Sequence, residues 1–159
     1  MRLFFKWLKK VELVLACLCL AVFSVITFAQ VVFRLLLNSP IAWAQEVSIF
    51  LFIWSVFLGA CLVYANRGHF RVDFVYALFP AKMRAVLDYF SHLCVVAFSI
   101  VLIVFGWQLM MVNVGRVTES LAIPQAVIYL VIPLNGVLVL LHTIEQIYYR
   151  LAGKEETIV

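Results

Sequence analysis

Residues 42–65 read AWAQEVSIFLFIWSVFLGACLVYA and carry a single charged side chain, that of Glu46. A helix needs about 20 consecutive apolar residues to cross the hydrocarbon core of a bilayer, because each residue adds only about 1.5 Å of rise. The segment meets that length, and the polar tetrapeptide Asn66-Arg67-Gly68-His69 follows it directly. The sequence therefore predicts a transmembrane helix over residues 42–65.

Composition extends this conclusion to the whole chain. Of its 159 residues, 67% are hydrophobic and 13% are charged, whereas a soluble domain has about 25% charged residues. That leaves too little polar surface to cover a globule in water. The net charge of +4 comes from lysines and arginines that flank the apolar runs, a pattern that indicates membrane topology and argues against a nucleic-acid partner.

Three further apolar runs complete a predicted bundle of four transmembrane helices. They cover residues 11–37, 83–112 and 124–150, and Asn38-Ser39-Pro40 separates the first span from the second. A proline is tolerated in the first turn of a helix but disturbs its interior, so Pro124 is expected to open the fourth helix and Pro133 to kink it. The predicted fold is an all-α integral membrane protein with a single membrane domain over residues 1–159.

Two connections have a recognisable character. Residues 70–79 mix Arg71 and Asp73 with large apolar side chains, and they are too few to cross a bilayer. Such a segment is expected to lie in the interface as a short amphipathic helix between the second and third spans. The connection over residues 113–123 contains Gly115 and Glu119 and is expected to be an exposed loop.

Orientation follows from the basic residues, since cytoplasmic connections carry the excess of lysine and arginine. Of the twelve lysines and arginines, all except Arg34 and Arg116 fall at the two ends of the chain or in its middle connection. Both termini are therefore expected in the cytoplasm, with the protein in a bacterial inner membrane. The first apolar run is also too long for the core of a cleaved signal peptide.

Polar side chains inside the spans need a partner or a role, because lipid solvates them poorly. Thr27, Gln30 and Arg34 recur at helical spacing near the outer end of the first helix, and Glu46 lies in the first turns of the second. Arg34 and Glu46 are expected either to form an ion pair or to reach separately for the headgroups. Glu12, beside two lysines at the inner interface, is expected to be solvated.

The fourth helix carries a polar stripe of Asn135, His142 and Glu145, at offsets of seven and three. This face is expected to look toward protein, either for helix packing or as part of a proton relay. Packing is favoured, because a relay needs more ionisable groups at mid-membrane depth. A bundle of four helices has little interior in which to bury these three side chains together with those of Thr27 and Gln30. Some of the five are therefore expected to face another protein.

The second helix has two contrasting sides. Small side chains, which allow close packing in lipid, line one of them. These are Ser48, Ser55, Gly59 and Ala60. The opposite arc is bulky and suits lipid or a partner subunit, and it consists of Phe50, Trp54 and Phe57. Trp43 is expected to act as an interfacial anchor.

Motifs of catalytic chemistry are missing from the sequence. It has no phosphate-binding glycine loop, no pair of metal-ligand cysteines and no nucleophile near a base. We therefore expect no enzymatic activity, cofactor or metal, and we expect the cysteines to be structural. Two functional alternatives follow from single residues. His92 and His142 could ligate a b-type haem in the membrane anchor of a respiratory enzyme, and a small exporter would need an acidic residue deep in the first helix, where Glu12 is not expected.

The second helix and the loop after it resemble a known family. The matching segments are Trp43-Ala44-Gln45-Glu46, Phe52-Ile53-Trp54, Phe57-Leu58-Gly59-Ala60, His69, Val72-Asp73, Leu78-Phe79-Pro80, Leu121-Ala122-Ile123-Pro124, Tyr129 and Pro133. Their order and spacing resemble the small membrane subunit of tripartite ATP-independent periplasmic (TRAP) transporters, and the length and predicted topology agree. The family often has two adjacent acidic residues where this chain has Gln45-Glu46, so the resemblance gives no support to a role that needs both carboxylates.

The resemblance implies a division of labour. A periplasmic binding protein delivers an organic acid, such as a C4-dicarboxylate, another carboxylic acid or a sialic acid, to a pair of membrane subunits. The large subunit, an obligate partner, holds the solute and sodium sites and moves as an elevator. The small subunit braces it and helps to meet the binding protein. The residues expected to serve structure or partner contact are Arg34, Trp43, Glu46, Phe50, Trp54, Phe57, Gly59, His69, Asp73, Asn135, His142 and Glu145.

Overall fold

The structure, a computed structural model, describes residues 2–37, 41–66 and 81–151. Its helices are α1 (Arg2–Leu37), α2 (Ala42–Ala65), α3 (Ala81–Val112), α4 (Ala126–Tyr129) and α5 (Val131–Leu151). Within the described residues, β pairing is limited to one isolated bridge between Val117 and Pro124. This architecture confirms the predicted all-α class.

Four helical stretches are long and apolar enough to cross a membrane, as predicted. They are Leu3–Leu36, Ala42–Ala65, Tyr89–Val112 and Ala126–Tyr148. Large apolar side chains point outward from them, and on α1 Val25 and Phe28 are 68% and 72% exposed. Soluble monomers rarely expose so much contiguous apolar surface, whereas a bilayer solvates it well.

The helix bounds differ from the predicted ranges at the start of α1 and in the fourth span, which begins at Ala126, two residues after the proline expected to open it. Helix α2 spans the predicted residues 42–65, and α3 begins two residues before the predicted residue 83. Helix α1 begins at Arg2 rather than at residue 11, because lysines interrupt an apolar run without disfavouring the helix. Its 36 residues extend about 54 Å at about 1.5 Å each, well beyond a hydrocarbon core of about 30 Å.

The predicted fourth helix is interrupted at Leu130, between α4 and α5. Pro133 explains the interruption, because proline has no N–H to donate to the carbonyl of Tyr129 and its ring crowds that carbonyl. Leu130 keeps helical dihedral angles (φ −55°, ψ −31°), and its N–H donates to the Ala126 carbonyl at 2.9 Å. The disturbance predicted from Pro133 therefore takes the form of a gap in the hydrogen-bond ladder.

The helices pack as two pairs that are joined through α2 and α5. Helix α1 lies against α2, α3 lies against α5, and α2 contacts α5. Two glycines bring α3 and α5 close together. A methyl group on Gly106 would come within 2.9 Å of the Pro133 nitrogen, and one on Gly136 within 2.9 Å of the Ser99 carbonyl oxygen. Small residues permit this kind of backbone contact between helices in lipid.

The predicted interfacial helix over residues 70–79 lies outside the described residues, and so do His69 and Asp73. The amphipathic segment therefore stays a prediction. The cytoplasmic placement of the two termini also stays a prediction, because helix packing alone does not tell one side of a membrane from the other.

Candidate functional site

Four ionisable side chains from the first turns of α1 and the last turns of α5 meet at one end of the bundle. His142 is fully buried, with its Nε2 3.2 Å from both carboxylate oxygens of Glu12 and its Nδ1 3.5 Å from Oε2 of Glu145. The Lys9 ammonium lies 3.4 Å from the same Glu145 oxygen. Glu12 and Glu145 are only 2% and 9% exposed. Contacts with the histidine and the lysine therefore replace the hydration of these carboxylates by bulk water.

Hydroxyl and thiol groups adjoin the four ionisable side chains. The Tyr64 hydroxyl lies 2.7 Å from Thr143 Oγ1, which donates its own hydrogen to the Val139 carbonyl, so Tyr64 is the donor. Gln146 Nε2 donates to the Tyr64 carbonyl at 3.1 Å, and Cys61 is fully buried one turn earlier on α2. The polar cluster, as we call it, comprises Lys9, Glu12, Cys61, Tyr64, His142, Thr143 and Glu145. It joins α1, α2 and α5.

The burial of Glu12 corrects the expectation that it is solvated at the interface. Because α1 starts at Arg2, Glu12 lies in its third turn, on the same face as the buried Ala16 and Cys19. That spacing of four and seven is visible in the sequence, but the partner His142 is 130 positions away. Neighbouring lysines indicate how near Glu12 is to the interface, and they do not indicate which way it points.

The polar stripe of the fourth helix faces the inside of the bundle, as predicted, and its members find partners within the chain. Asn135 is 4% exposed and its side-chain amide donates to the Phe57 carbonyl. On α1, Gln30 Nε2 donates to Ser48 Oγ at 3.0 Å. These two side chains are thus satisfied within the chain, and the expectation that some of the polar groups face another protein stays a prediction. Thr27 Oγ1 differs, since it is buried without a hydrogen-bond partner among the described residues.

At the other end of α2, Glu46 holds the connection over residues 113–125, which we call the outer loop after its predicted side of the membrane. Its carboxylate oxygens accept the backbone N–H groups of Ser120 at 2.7 Å and of Leu121 at 3.1 Å. Residues 114–117 and 119–124 of this loop are exposed, as predicted. Glu46 therefore joins two of the segments on which the family resemblance rests, residues 43–46 and 121–124.

Arg34 and Glu46 do not form the ion pair that was one of the two expectations for them. Among the described residues, the ion pairs are those of Lys9 and His142 in the polar cluster, and Arg34 is exposed. The amides of the outer loop satisfy the Glu46 carboxylate instead. Sequence spacing cannot reveal this contact, because Ser120 lies 74 positions from Glu46.

The predicted sides of α2 are right for two serines, whereas the contact of the aromatic arc with lipid or a partner stays a prediction. Ser48 and Ser55 are buried, as expected for the side that packs against other helices, whereas a methyl group on Gly59 would meet no other helix within 4 Å in the described part of the chain. The aromatic arc is half-buried, with the Phe50 and Trp54 rings in contact at a centroid distance of 5.4 Å. The large apolar side chains exposed on α2 are Trp43, Ile49, Phe52, Val56 and Val63.

The surroundings of His142 give no support to the haem-anchor alternative. Both ring nitrogens already lie against carboxylates, and an axial bond to iron would leave one buried carboxylate without its partner, which is costly. A small exporter would need a buried acidic residue in its first helix, and the buried Glu12 meets that requirement, so the sequence no longer argues against this alternative. That alternative is decided by the comparisons with known proteins.

A family model for the DctQ component of tripartite ATP-independent periplasmic transporters matches residues 23–153 of the chain. The C4-dicarboxylate TRAP transporter small permease protein of Vibrio cholerae is 35% identical over 85 residues, which cover 54% of this chain and 37% of that protein. A putative TRAP transporter small permease protein of Haemophilus influenzae is 28% identical over 139 residues, which cover 87% of this chain and 86% of that protein.

One further similarity concerns a much longer protein. The sialic acid TRAP transporter permease protein SiaT of Haemophilus influenzae is 30% identical over 102 residues, which cover 64% of this chain but only 16% of SiaT. A segment similar to this chain is therefore covalently part of a large permease in that organism.

Proposed function

The chain belongs to the family of DctQ components of tripartite ATP-independent periplasmic transporters, and we propose that it is the small permease subunit of a sodium-coupled importer of an organic acid. The match over residues 23–153 is the observation that carries this proposal. The names of similar proteins, which refer to C4-dicarboxylate and sialic acid, support a solute that bears a carboxylate. The four apolar helices support a multi-pass protein of the inner membrane.

We assign the solute and sodium sites to a large membrane partner and a bracing role to this chain. Glu12 and Glu145 are committed to His142 and Lys9, so these carboxylates serve the packing of the bundle. The similarity to a short part of SiaT supports the partnership, because there the small and large portions belong to one protein. The apolar outer surface of α1 is then shared between lipid and the partner.

The outer loop is the part of the chain proposed to help dock a periplasmic binding protein. It is exposed, and Glu46 fixes its backbone at Ser120 and Leu121. A second hydrogen bond closes the loop from the Thr118 N–H to the Ile123 carbonyl at 2.9 Å. A loop that is already ordered loses little conformational entropy when a partner binds, which suits it to receive a soluble protein.

This docking role requires the outer loop to lie in the periplasm, and cysteine labelling tests that orientation. Asn66 and Gly115 are both exposed, so Asn66→Cys and Gly115→Cys form a matched pair in a background without the four native cysteines. A membrane-impermeant thiol reagent is expected to label position 115 in intact cells and position 66 only after permeabilisation. Labelling at position 66 and not at 115 would overturn the orientation.

Co-purification tests the partnership itself. The tagged chain, co-expressed with a large TRAP permease subunit from the same organism, is expected to retain that subunit through detergent extraction and size exclusion. An unrelated multi-span protein expressed at the same level serves as the control for non-specific association. Elution of the two subunits as separate species in several mild detergents and in nanodiscs would contradict the proposal.

A further inference from the structure

Three potential metal ligands converge inside the polar cluster, each from a different helix. A carboxylate oxygen of Glu12 on α1, the Cys61 sulfur on α2 and a ring nitrogen of His142 on α5 all lie within 4.8 Å of one another, and all three residues are buried. We propose that these side chains bind a divalent transition-metal ion, with Zn²⁺ as the best match, and that the ion ties the three helices together. This inference does not depend on the identity of the transported solute.

The distances suit a tetrahedral ion after a small adjustment. With Zn–N and Zn–O bonds of about 2.0–2.1 Å, the edge between those two ligands of a tetrahedron is about 3.3 Å. His142 Nε2 lies 3.2 Å from each Glu12 oxygen. A Zn–S bond of about 2.3 Å gives an edge of about 3.5 Å, and Cys61 Sγ is within 4.8 Å of the other two ligand atoms. Each of the two distances to the thiol therefore has to shorten by about 1.3 Å at most.

The orientation of His142 matches that of a metal-ligating histidine. Such a histidine usually donates its second ring N–H to a carboxylate, which fixes the tautomer and the ring plane. Here Nε2 faces Glu12, while Nδ1 faces the Glu145 carboxylate at 3.5 Å. Glu145 is in turn held by Lys9 at 3.4 Å. Glu145 is thus a positioning residue for the proposed site.

Charge balance also favours a divalent ion at this position. Binding would convert the Cys61 thiol to a thiolate and release its proton to water, so that a thiolate and the Glu12 carboxylate together offset the two positive charges of Zn²⁺. Glu145 and Lys9 offset each other. The site would therefore be neutral overall, which matters where buried charge is costly.

The ligand types select the class of metal. A thiolate and an imidazole suit Zn²⁺ and neighbouring transition metals, whereas Mg²⁺ and Ca²⁺ prefer oxygen ligands. Three protein ligands leave a fourth tetrahedral position for water. The ion would act as a structural link that joins α1, α2 and α5 at one end of the bundle.

Metal titration of the full chain tests the proposal. The chain is purified in detergent with a tag that lacks histidine, stripped with a chelator and titrated with Co²⁺, whose thiolate charge-transfer band reports a Co–S bond. We expect that band to saturate at one equivalent and to disappear when one equivalent of Zn²⁺ is added. No thiolate band, or a band that a large excess of Zn²⁺ leaves unchanged, would overturn the proposal.

Four variants locate the site. Cys61→Ser is expected to abolish the thiolate band, whereas the control Cys19→Ser, which alters another buried cysteine, keeps it. Glu145→Gln is expected to weaken Zn²⁺ affinity about 10–100-fold, as loss of a supporting carboxylate typically does, and the exposed Glu119→Gln to leave it unchanged. Each variant is compared only as a monodisperse species with unchanged helicity. Full binding by Cys61→Ser, or equal affinities for the two glutamine variants, would contradict the assignment.

Discussion

Replacing Gly136 with leucine is expected to separate α3 from α5 and to remove most of the folded protein from detergent extracts. The first carbon of any side chain there would lie 2.8 Å from Ile103 Cγ1, 2.9 Å from the Ser99 carbonyl oxygen and 3.1 Å from the Ile103 nitrogen. Two of these three atoms belong to the backbone, so a rotamer change cannot relieve the overlap. The helices must move apart instead, and their contact is lost.

Alanine at the same position gives a graded version of this prediction. We expect Gly136→Ala to destabilise the bundle by about 1–3 kcal/mol, the usual cost of overpacking, although alanine favours helix over glycine by about 1 kcal/mol. Gly59→Ala and Gly59→Leu are the matched controls, since no atom of another helix among the described residues lies within 4 Å of a methyl group there. Thermal unfolding followed by size exclusion in detergent measures the effect. Equal unfolding midpoints for the Gly136 and Gly59 variants would show that α3 and α5 do not pack closely at Gly136.

Replacing His142 with leucine is expected to cause the second-largest loss of stability. The Glu12 carboxylate, 2% exposed, would lose the ring nitrogen that lies 3.2 Å from both of its oxygens. Removing one partner of a buried pair costs about 3–5 kcal/mol, because the remaining charge stays desolvated. The measurement is thermal unfolding in the presence of a chelator, so that no bound metal contributes to the difference.

The double variant Glu12→Leu, His142→Leu distinguishes a buried pair from two independent contributions. Replacing both members by apolar residues is often neutral, so the double variant is expected to be more stable than His142→Leu alone. Glu119→Leu, at an exposed loop position, is the control for loss of a carboxylate as such. Strictly additive losses in this double-mutant cycle would contradict a direct interaction between Glu12 and His142.

Contacts at both ends and in the middle of the bundle hold its helices together. Glu46, near the start of α2, holds the outer loop, and the polar cluster joins the end of α2 to α1 and α5. Between these ends, Gly106 and Gly136 bring α3 against α5. Polar bonds and backbone packing are the interactions that hold helices together in lipid, where apolar burial gives little drive. Such a bundle suits the bracing role proposed above.

The sequence predicts the elements of this fold well, because helix formation in lipid depends on local apolar length. The range 42–65 for α2 and the inward face of Asn135, His142 and Glu145 follow directly from length and period. The partner of each polar group does not follow, since Glu12 meets His142 and Glu46 meets Ser120 across 130 and 74 positions. The role of Gly136 cannot be predicted from the sequence either, because it depends on which residues of the neighbouring helix pack against that glycine.

Uptake by reconstituted liposomes tests the proposed subunit role most directly. The large permease subunit is reconstituted with or without this chain, an inward sodium gradient is imposed, and the cognate binding protein is added with its labelled solute. We expect uptake only when both subunits and the binding protein are present, and none when the sodium gradient is dissipated. Full uptake by the large subunit without this chain, or uptake by this chain alone, would contradict its role as an obligate small subunit.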